Sequence, residues 1–268
     1  MISILSGKGG VGKSVIAFNL ADCLQRRSFR TLLIDASQSG GNQHILANVP
    51  VSYGLTQYAD GTLSLAEAVT TIREGLDLLA APGNELHRDE DNSSSVQFIQ
   101  KLLADAARYD VVIIDHGSGL PDRSTHIARN SDLNLLVLVP ELTSISDAYG
   151  LFKHLSKNRR TTDCRLLVNR AQSDDEAEYI QSKFVAMAQR FLGVTPLYTG
   201  FIPEDIAVRG AIASQTALSE KFPDAPSSLA LRHLADAITG HGELVTNSPS
   251  ESFSRTIHNP AAAADRKG

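Results

Sequence analysis

The stretch Ser6-Gly7-Lys8-Gly9-Gly10-Val11-Gly12-Lys13-Ser14 lies close to the start of the chain, directly after the apolar run Ile2-Ser3-Ile4-Leu5. The next segment, from Lys13 to about Arg26, carries apolar residues at helical spacing. A glycine-rich segment between a strand and a helix is the setting for a phosphate-binding loop, and Gly7 to Ser14 match the full pattern G-x-x-x-x-G-K-[ST]. Gly7, Gly9, Gly10 and Gly12 let the backbone turn so that successive N–H groups, that of Val11 among them, point at phosphate oxygens. The helix adds its unsatisfied first-turn donors and the positive end of its dipole, with Val15 in that turn. In such a loop Lys13 reaches the β- and γ-phosphates of a nucleotide, and the Ser14 hydroxyl ligates Mg²⁺.

Beyond the loop, short β-branched runs alternate with longer amphipathic stretches, the pattern of a mostly parallel sheet with helices on both faces. Strands are predicted at 2–6, 31–35, 76–80, 111–115, 133–139, 165–169 and 197–202. Helices are predicted at 13–26, 65–71, 95–107, 123–130, 144–157, 175–191, 204–213 and 227–239. The expected fold is therefore α/β, a twisted sheet of about seven or eight strands forming one nucleotide-binding domain over residues 1–240. The segment 241–268 is rich in Ser, Asn, Pro and Ala, lacks a 3.6-residue period, and reads as a disordered tail.

With 42% hydrophobic residues in 268, the chain can bury a sizeable core. The net charge of -5 gives no global drive toward nucleic acid. Its densest basic run, Lys157-Asn158-Arg159-Arg160, reads as a solvated helix end, so DNA is not an expected partner. No apolar run approaches the roughly 20 residues that cross a bilayer, and nothing at the N-terminus resembles a signal peptide. The tail has no apolar stripe, so membrane binding through it is not expected either. The helix 227–239 bears Leu229, Leu231, Leu234, Ala235 and Ile238, a face expected to lie in the core. Cys23 and Cys164 lack metal-ligand spacing, which argues for reduced cysteines in a cytoplasmic protein and against an iron–sulfur centre.

Two carboxylates end apolar strands. Asp115 closes Val111-Val112-Ile113-Ile114-Asp115, where it can act on Mg²⁺ through a water. His116-Gly117-Ser118-Gly119 comes next, and Gly117 can bring its N–H to a γ-phosphate; a general-base role for His116 is a weaker reading, with no partner visible. The second carboxylate, Asp35, opens Asp35-Ala36-Ser37-Gln38-Ser39-Gly40-Gly41-Asn42.

The loop Lys8-Gly9-Gly10-Val11-Gly12-Lys13-Ser14 resembles the deviant Walker A motif K-G-G-x-G-K-[ST] of the MinD/ParA group of P-loop ATPases. The resemblance implies ATP and Mg²⁺ as ligands and an ATP-dependent homodimer, in which Lys8 crosses to the nucleotide of the partner subunit. It also implies that Asp35 lies near Mg²⁺ and that Asn42 is the asparagine of the family's second-strand loop. Ser37 stands where that family has the aspartate that positions the attacking water. A hydroxyl can hold a water but cannot anchor it with charge, so slow hydrolysis is expected.

Further segments resemble the flagellar-number regulators, the FlhG/FleN branch of that group. Pro140-Glu141-Leu142-Thr143-Ser144-Ile145-Ser146-Asp147-Ala148-Tyr149 is similar to its P-E-P-T-S-I-T-D-A-Y, with Leu142 replacing the second proline. Val168-Asn169-Arg170-Ala171 matches its V-N-R-A, and Ile202-Pro203-Glu204-Asp205 its I-P-E-D. That likeness implies that Asn169 bonds the adenine edge, Arg170 lies along the base and the Pro203 loop closes over it. The expected function is an ATP-gated dimerisation switch regulating placement or number of a cell-surface apparatus, with a partner in the placement machinery and a peripheral membrane position only through that partner. The alternatives are a pseudo-ATPase scaffold, or a positioning ATPase for a division site or another cargo. A metabolic P-loop enzyme and a tyrosine-kinase module fit less well, since none of the six tyrosines lies beyond Tyr198.

Overall fold

The computed structural model describes residues 1–37, 41–81, 92–119, 122–156 and 163–240. The strands are β1 (Ile2–Leu5), β2 (Thr31–Ala36), β3 (Thr70–Arg73), β4 (Leu76–Leu79), β5 (Val111–His116), β6 (Leu133–Leu138), β7 (Asp163–Ala171) and β8 (Leu197–Pro203). The helices are α1 (Lys13–Gln25), α2 (Gln43–Leu46), α3 (Leu55–Ala59), α4 (Leu65–Ala68), α5 (Asn92–Asp105), α6 (Asp122–Arg129), α7 (Leu142–Ser156), α8 (Asp174–Leu192), α9 (Ile206–Ala213), α10 (Leu218–Lys221) and α11 (Pro226–Thr239).

One eight-stranded sheet runs in the order β3-β4-β2-β5-β1-β6-β7-β8. All neighbours are parallel except β3 and β4, which pair antiparallel. The expected α/β architecture is the one observed. The short helices α2, α3 and α10 add to the predicted set. The helix predicted over 65–71 stops at Ala68, and Thr70–Arg73 is a strand. Its threonines and isoleucine suit a pleated surface better than a helix. Gly75, at φ 79°, makes the reversal that folds this strand back on β4.

Side-chain alternation along the strands builds two layers. Ile2, Ile4, Ile113, Leu135 and Val137 point to the face covered by α1 and α11, where they meet Phe18, Leu20, Leu24 and Leu231. The predicted core role of the last helix is realised by Leu231, Leu234 and Ala235, while Leu229 stays largely exposed. The opposite face is covered in two parts. Leu136, Leu138, Leu166 and Val168 pack with α7 and α8, and Leu32, Ile34 and Ile114 pack with α3, α4 and α5. Between α7 and α8, Phe152 and Phe184 meet edge-to-face with ring centroids 5.7 Å apart. Removing either buried ring to alanine would cost about 3–5 kcal/mol.

Parallel strands all end on one edge of the sheet, and the loops leaving β1, β2, β5, β7 and β8 meet there. The tail 241–268, the basic run 157–160 and Gln38, Ser39 and Gly40 lie outside the described residues. Among the described residues no helix is long and apolar enough to cross a membrane.

Candidate functional site

The glycine-rich loop leaves β1 and enters α1 through Gly12, which lies in the left-handed region at φ 95°. A methyl there would also overlap the Asn169 amide, and one on Gly7 would overlap the Asp147–Ala148 peptide of α7. Two of the glycines are thus required by close approach of neighbours as well as by the turn. Ser6 donates from its hydroxyl to the Lys8 carbonyl at 2.7 Å, and the same oxygen accepts from Lys13 Nζ at 2.9 Å. Lys13 is buried in the cradle. Desolvation lowers the pKa of its ammonium, partly opposed by the charge of Asp115.

Lys8 takes the opposite course. Its ammonium turns outward and pairs with Glu141, and it donates to Thr143 Oγ1 at 3.0 Å. Over a third of this side chain is solvent-exposed.

Asp35 and Asp115 are register partners on β2 and β5, so alternation sets both carboxylates on the α1 face. Both are fully buried. Burial, reinforced by the neighbouring Asp35 charge, raises the pKa of Asp115 to about 6, and burial raises that of Asp35 as well. Asp35 accepts backbone N–H groups from Ser37 at 3.2 Å and Gln43 at 3.0 Å. The Ser37 hydroxyl also favours the Asp35 carboxylate, and that of Ser14 favours Asp115. Asp115 Oδ2 accepts from Gln43 Nε2 at 2.8 Å, whereas its Oδ1 is buried without a hydrogen-bond partner. Two hard carboxylates, a serine hydroxyl and an orphaned carboxylate oxygen next to a buried lysine form a donor set suited to Mg²⁺ and phosphate. Ser14, Asp35 and Asp115 are the residues that would hold the ion, and Lys13 with the loop N–H groups would hold phosphate.

Alternation turns His116 away from this centre. Its ring lies on the other face, where Nε2 and Ser3 Oγ share a hydrogen bond at 2.9 Å and Ser3 in turn contacts Ser131 Oγ at 2.7 Å. Burial lowers its pKa to about 3, so the imidazole is neutral. Facing Ser3 on that side of the sheet, His116 does not reach the carboxylate centre as a general base. Gly117 follows it out of β5, and Gly119 donates its N–H to the Ser6 carbonyl at 3.2 Å, binding the two loops together.

Val15, Asn169, Arg170 and Pro203 come together with Gly12 and Val208 around one cleft of about 140 Å³ beside the loop. Asn169 is buried and donates from Nδ2 to the Val11 carbonyl at 2.7 Å, which leaves its side-chain oxygen as the available acceptor. Arg170, at a β-bulge with φ 60°, faces Glu204 across 3.8 Å at the rim. Asp205 caps α9 by accepting from the Ala207 N–H at 2.9 Å, and its other oxygen accepts from the Ser227 hydroxyl at 2.7 Å. The cleft wall is thereby fixed to α11. Asn42, by contrast, is exposed at the start of α2 and does not line the cleft; its carbonyl accepts the N–H groups of Ile45 and Leu46.

Sequence reasoning overlooked Gln43, which is fully buried between the two carboxylates. The pairing of Lys8 with Glu141 joins residues 133 apart and leaves no local trace.

The Antiactivator FleN of Pseudomonas aeruginosa is 31% identical over 239 residues, 89% of this chain and 85% of that protein. The Flagellum site-determining protein YlxH of Helicobacter pylori is 25% identical over 227 residues, 83% of this chain and 76% of that protein. Among solved structures, the septum site-determining protein MinD from Pyrococcus horikoshii OT3, complexed with Mg-ADP, superposes with a TM-score of 0.74 at 24% identity, over 88% of this chain and 94% of that one. The sequence profile of the CobQ/CobB/MinD/ParA nucleotide binding domain matches residues 2–218. This chain, with its glycine loop on β1 and its paired carboxylates on β2 and β5, belongs to the CobQ/CobB/MinD/ParA family of nucleotide-binding domains.

Proposed function

We propose that this chain is a nucleotide-gated dimerisation switch of a positioning system, most specifically one that sets the placement or number of flagella. Two copies join when each holds Mg-ATP, and the joined form presents a surface to a protein of the placement machinery. Bound Mg²⁺ supplies charge neutralisation at the phosphates. The chain itself contributes the loop N–H groups and Lys13 for the phosphates, Ser14, Asp35 and Asp115 for the ion, and Asn169, Arg170 and Pro203 for the base. The protein acts in the cytoplasm and reaches the membrane only through its partner.

One observation carries this reading: the two lysines of a single loop occupy opposite environments. Lys13 is buried in its own cradle, whereas Lys8 reaches the surface and is held there by Glu141 and Thr143. An exposed ion pair of this kind is worth little, about 1 kcal/mol or less, so a phosphate offered by a second subunit can displace Glu141. The name of YlxH, a flagellum site-determining protein, supports the flagellar assignment. Light scattering after gel filtration tests the switch. A dimer in Mg-ATP and a monomer in ADP are expected, with Lys8→Ala monomeric in both; a wild-type monomer at saturating Mg-ATP refutes it.

A second reading is favoured by Ser37, whose backbone N–H and hydroxyl both serve Asp35. A loop without a second carboxylate suits a scaffold that binds ATP and scarcely turns it over. Phosphate release by the wild type at the rate of the Lys13→Ala background would favour this version.

A further inference from the structure

Gln43 is the first residue of α2, and none of its surface is exposed. Burying an amide is costly unless its groups are bonded, and here the donors are fully used. The backbone N–H donates to Asp35 Oδ2 at 3.0 Å, and Nε2 donates to Asp115 Oδ2 at 2.8 Å and to the Ser14 carbonyl at 3.1 Å. One residue thus ties both carboxylates to the first turn of α1, on the residue whose hydroxyl completes the set. Its acceptor is not used: Gln43 Oε1 is buried with no hydrogen-bond partner, and so is the neighbouring Asp115 Oδ1. Two orphaned oxygen acceptors in one buried centre call for a donor. A water in the hydration shell of Mg²⁺ is such a donor, because the ion retains several waters when it binds through few protein ligands.

We propose that Gln43 is a positioning residue of the metal centre. Its amide N–H groups hold Asp35 and Asp115 in place, and its Oε1 accepts a hydrogen bond from a water of the Mg²⁺ shell. This rests on the Mg-nucleotide reading of the site and adds to it the group that couples ion to nucleotide. Ser37 brings no carboxylate to this centre, whereas Gln43 brings an amide to Asp115.

The test is binding of a fluorescent ATP analogue to the full chain, first in EDTA and then across a Mg²⁺ titration. Gln43→Met preserves length and removes the side-chain donor and acceptor, while the backbone N–H accepted by Asp35 remains. It should bind the analogue in EDTA within about twofold of wild type, while the Mg²⁺ concentration for half-maximal tightening rises about tenfold or more, the usual scale for losing an outer-shell partner. Gln43→Glu retains an acceptor at Oε1 and should keep its half-maximal Mg²⁺ concentration below that of Gln43→Met. An unchanged Mg²⁺ requirement in Gln43→Met overturns the assignment. So does loss of binding in EDTA by both variants, which would make Gln43 a residue of the fold. A wild type whose binding ignores Mg²⁺ overturns the Mg-nucleotide reading itself, and this proposal with it.

Discussion

Replacing Asp115 by asparagine should stabilise the metal-free protein at neutral pH. In the folded chain Asp115 is buried beside Asp35, and its pKa rises from 3.8 to about 6. An acid whose folded pKa is raised favours the fold while it is protonated, and that contribution is lost as pH rises through the folded value. A shift of this size corresponds to a penalty on the order of 3 kcal/mol at pH 8, shrinking as pH falls through the folded value and vanishing below about pH 4. Asparagine carries no charge, and its carbonyl can still accept from Gln43 Nε2. Urea unfolding of wild type and Asp115→Asn in EDTA, at intervals from pH 5 to pH 8, reads the difference directly. The variant should be the more stable throughout, with the gap widening up to about pH 6–7 and levelling off above. Mg-ATP should narrow the gap by stabilising the wild type alone. A gap independent of pH, or a variant less stable than wild type at pH 8, would show that the carboxylate is not strained by burial.

Three other outcomes are expected. Gly12→Ala forces a methyl into the left-handed region and against Asn169, so urea unfolding should show a loss of roughly 1–3 kcal/mol, and nucleotide binding by calorimetry should disappear. Asp205→Ala removes the cap of α9 and its link to Ser227; circular dichroism should show a loss of about 1–2 kcal/mol and a melting temperature lower by several degrees. Ser37→Asp should increase ATP turnover, measured as phosphate release, while leaving Mg-ATP affinity within a few-fold; unchanged turnover would mean that position 37 does not limit hydrolysis.

Much of the fold was legible because parallel strands buried on both faces carry apolar runs, such as Leu32–Ile34 in β2, Val111–Ile114 in β5 and Leu135–Leu138 in β6. The phosphate loop was legible for a different reason: Gly10 and Gly12 sit at positive φ, and Gly7 lies against the backbone of α7, where a side chain would clash. Thr70–Arg73 was misread because Leu65 to Ala68 do begin a helix, and only the β-branched threonines and the turn at Gly75 signal its end. The orientation of His116 was in principle readable, since residues adjacent along a strand point to opposite faces and Asp115 had already claimed the nucleotide side. The environments of Lys8 and Gln43 were not. Each depends on contacts between segments far apart in the chain, and neither residue type announces whether it will be buried or free.

The placement of β1 has a consequence for how the protein is made. The strand that carries the phosphate loop pairs on one side with β5 and on the other with β6, in the register Ile2 with Ile113 and with Leu133. It therefore waits for partners that leave the ribosome more than a hundred residues later, a delay of roughly ten seconds or so at ordinary elongation rates. Until then its apolar run has no sheet to join and the glycine loop no floor. A nascent chain should acquire affinity for nucleotide in one late step, after β6 has emerged, and truncated chains ending before it should depend on chaperones to stay dispersed.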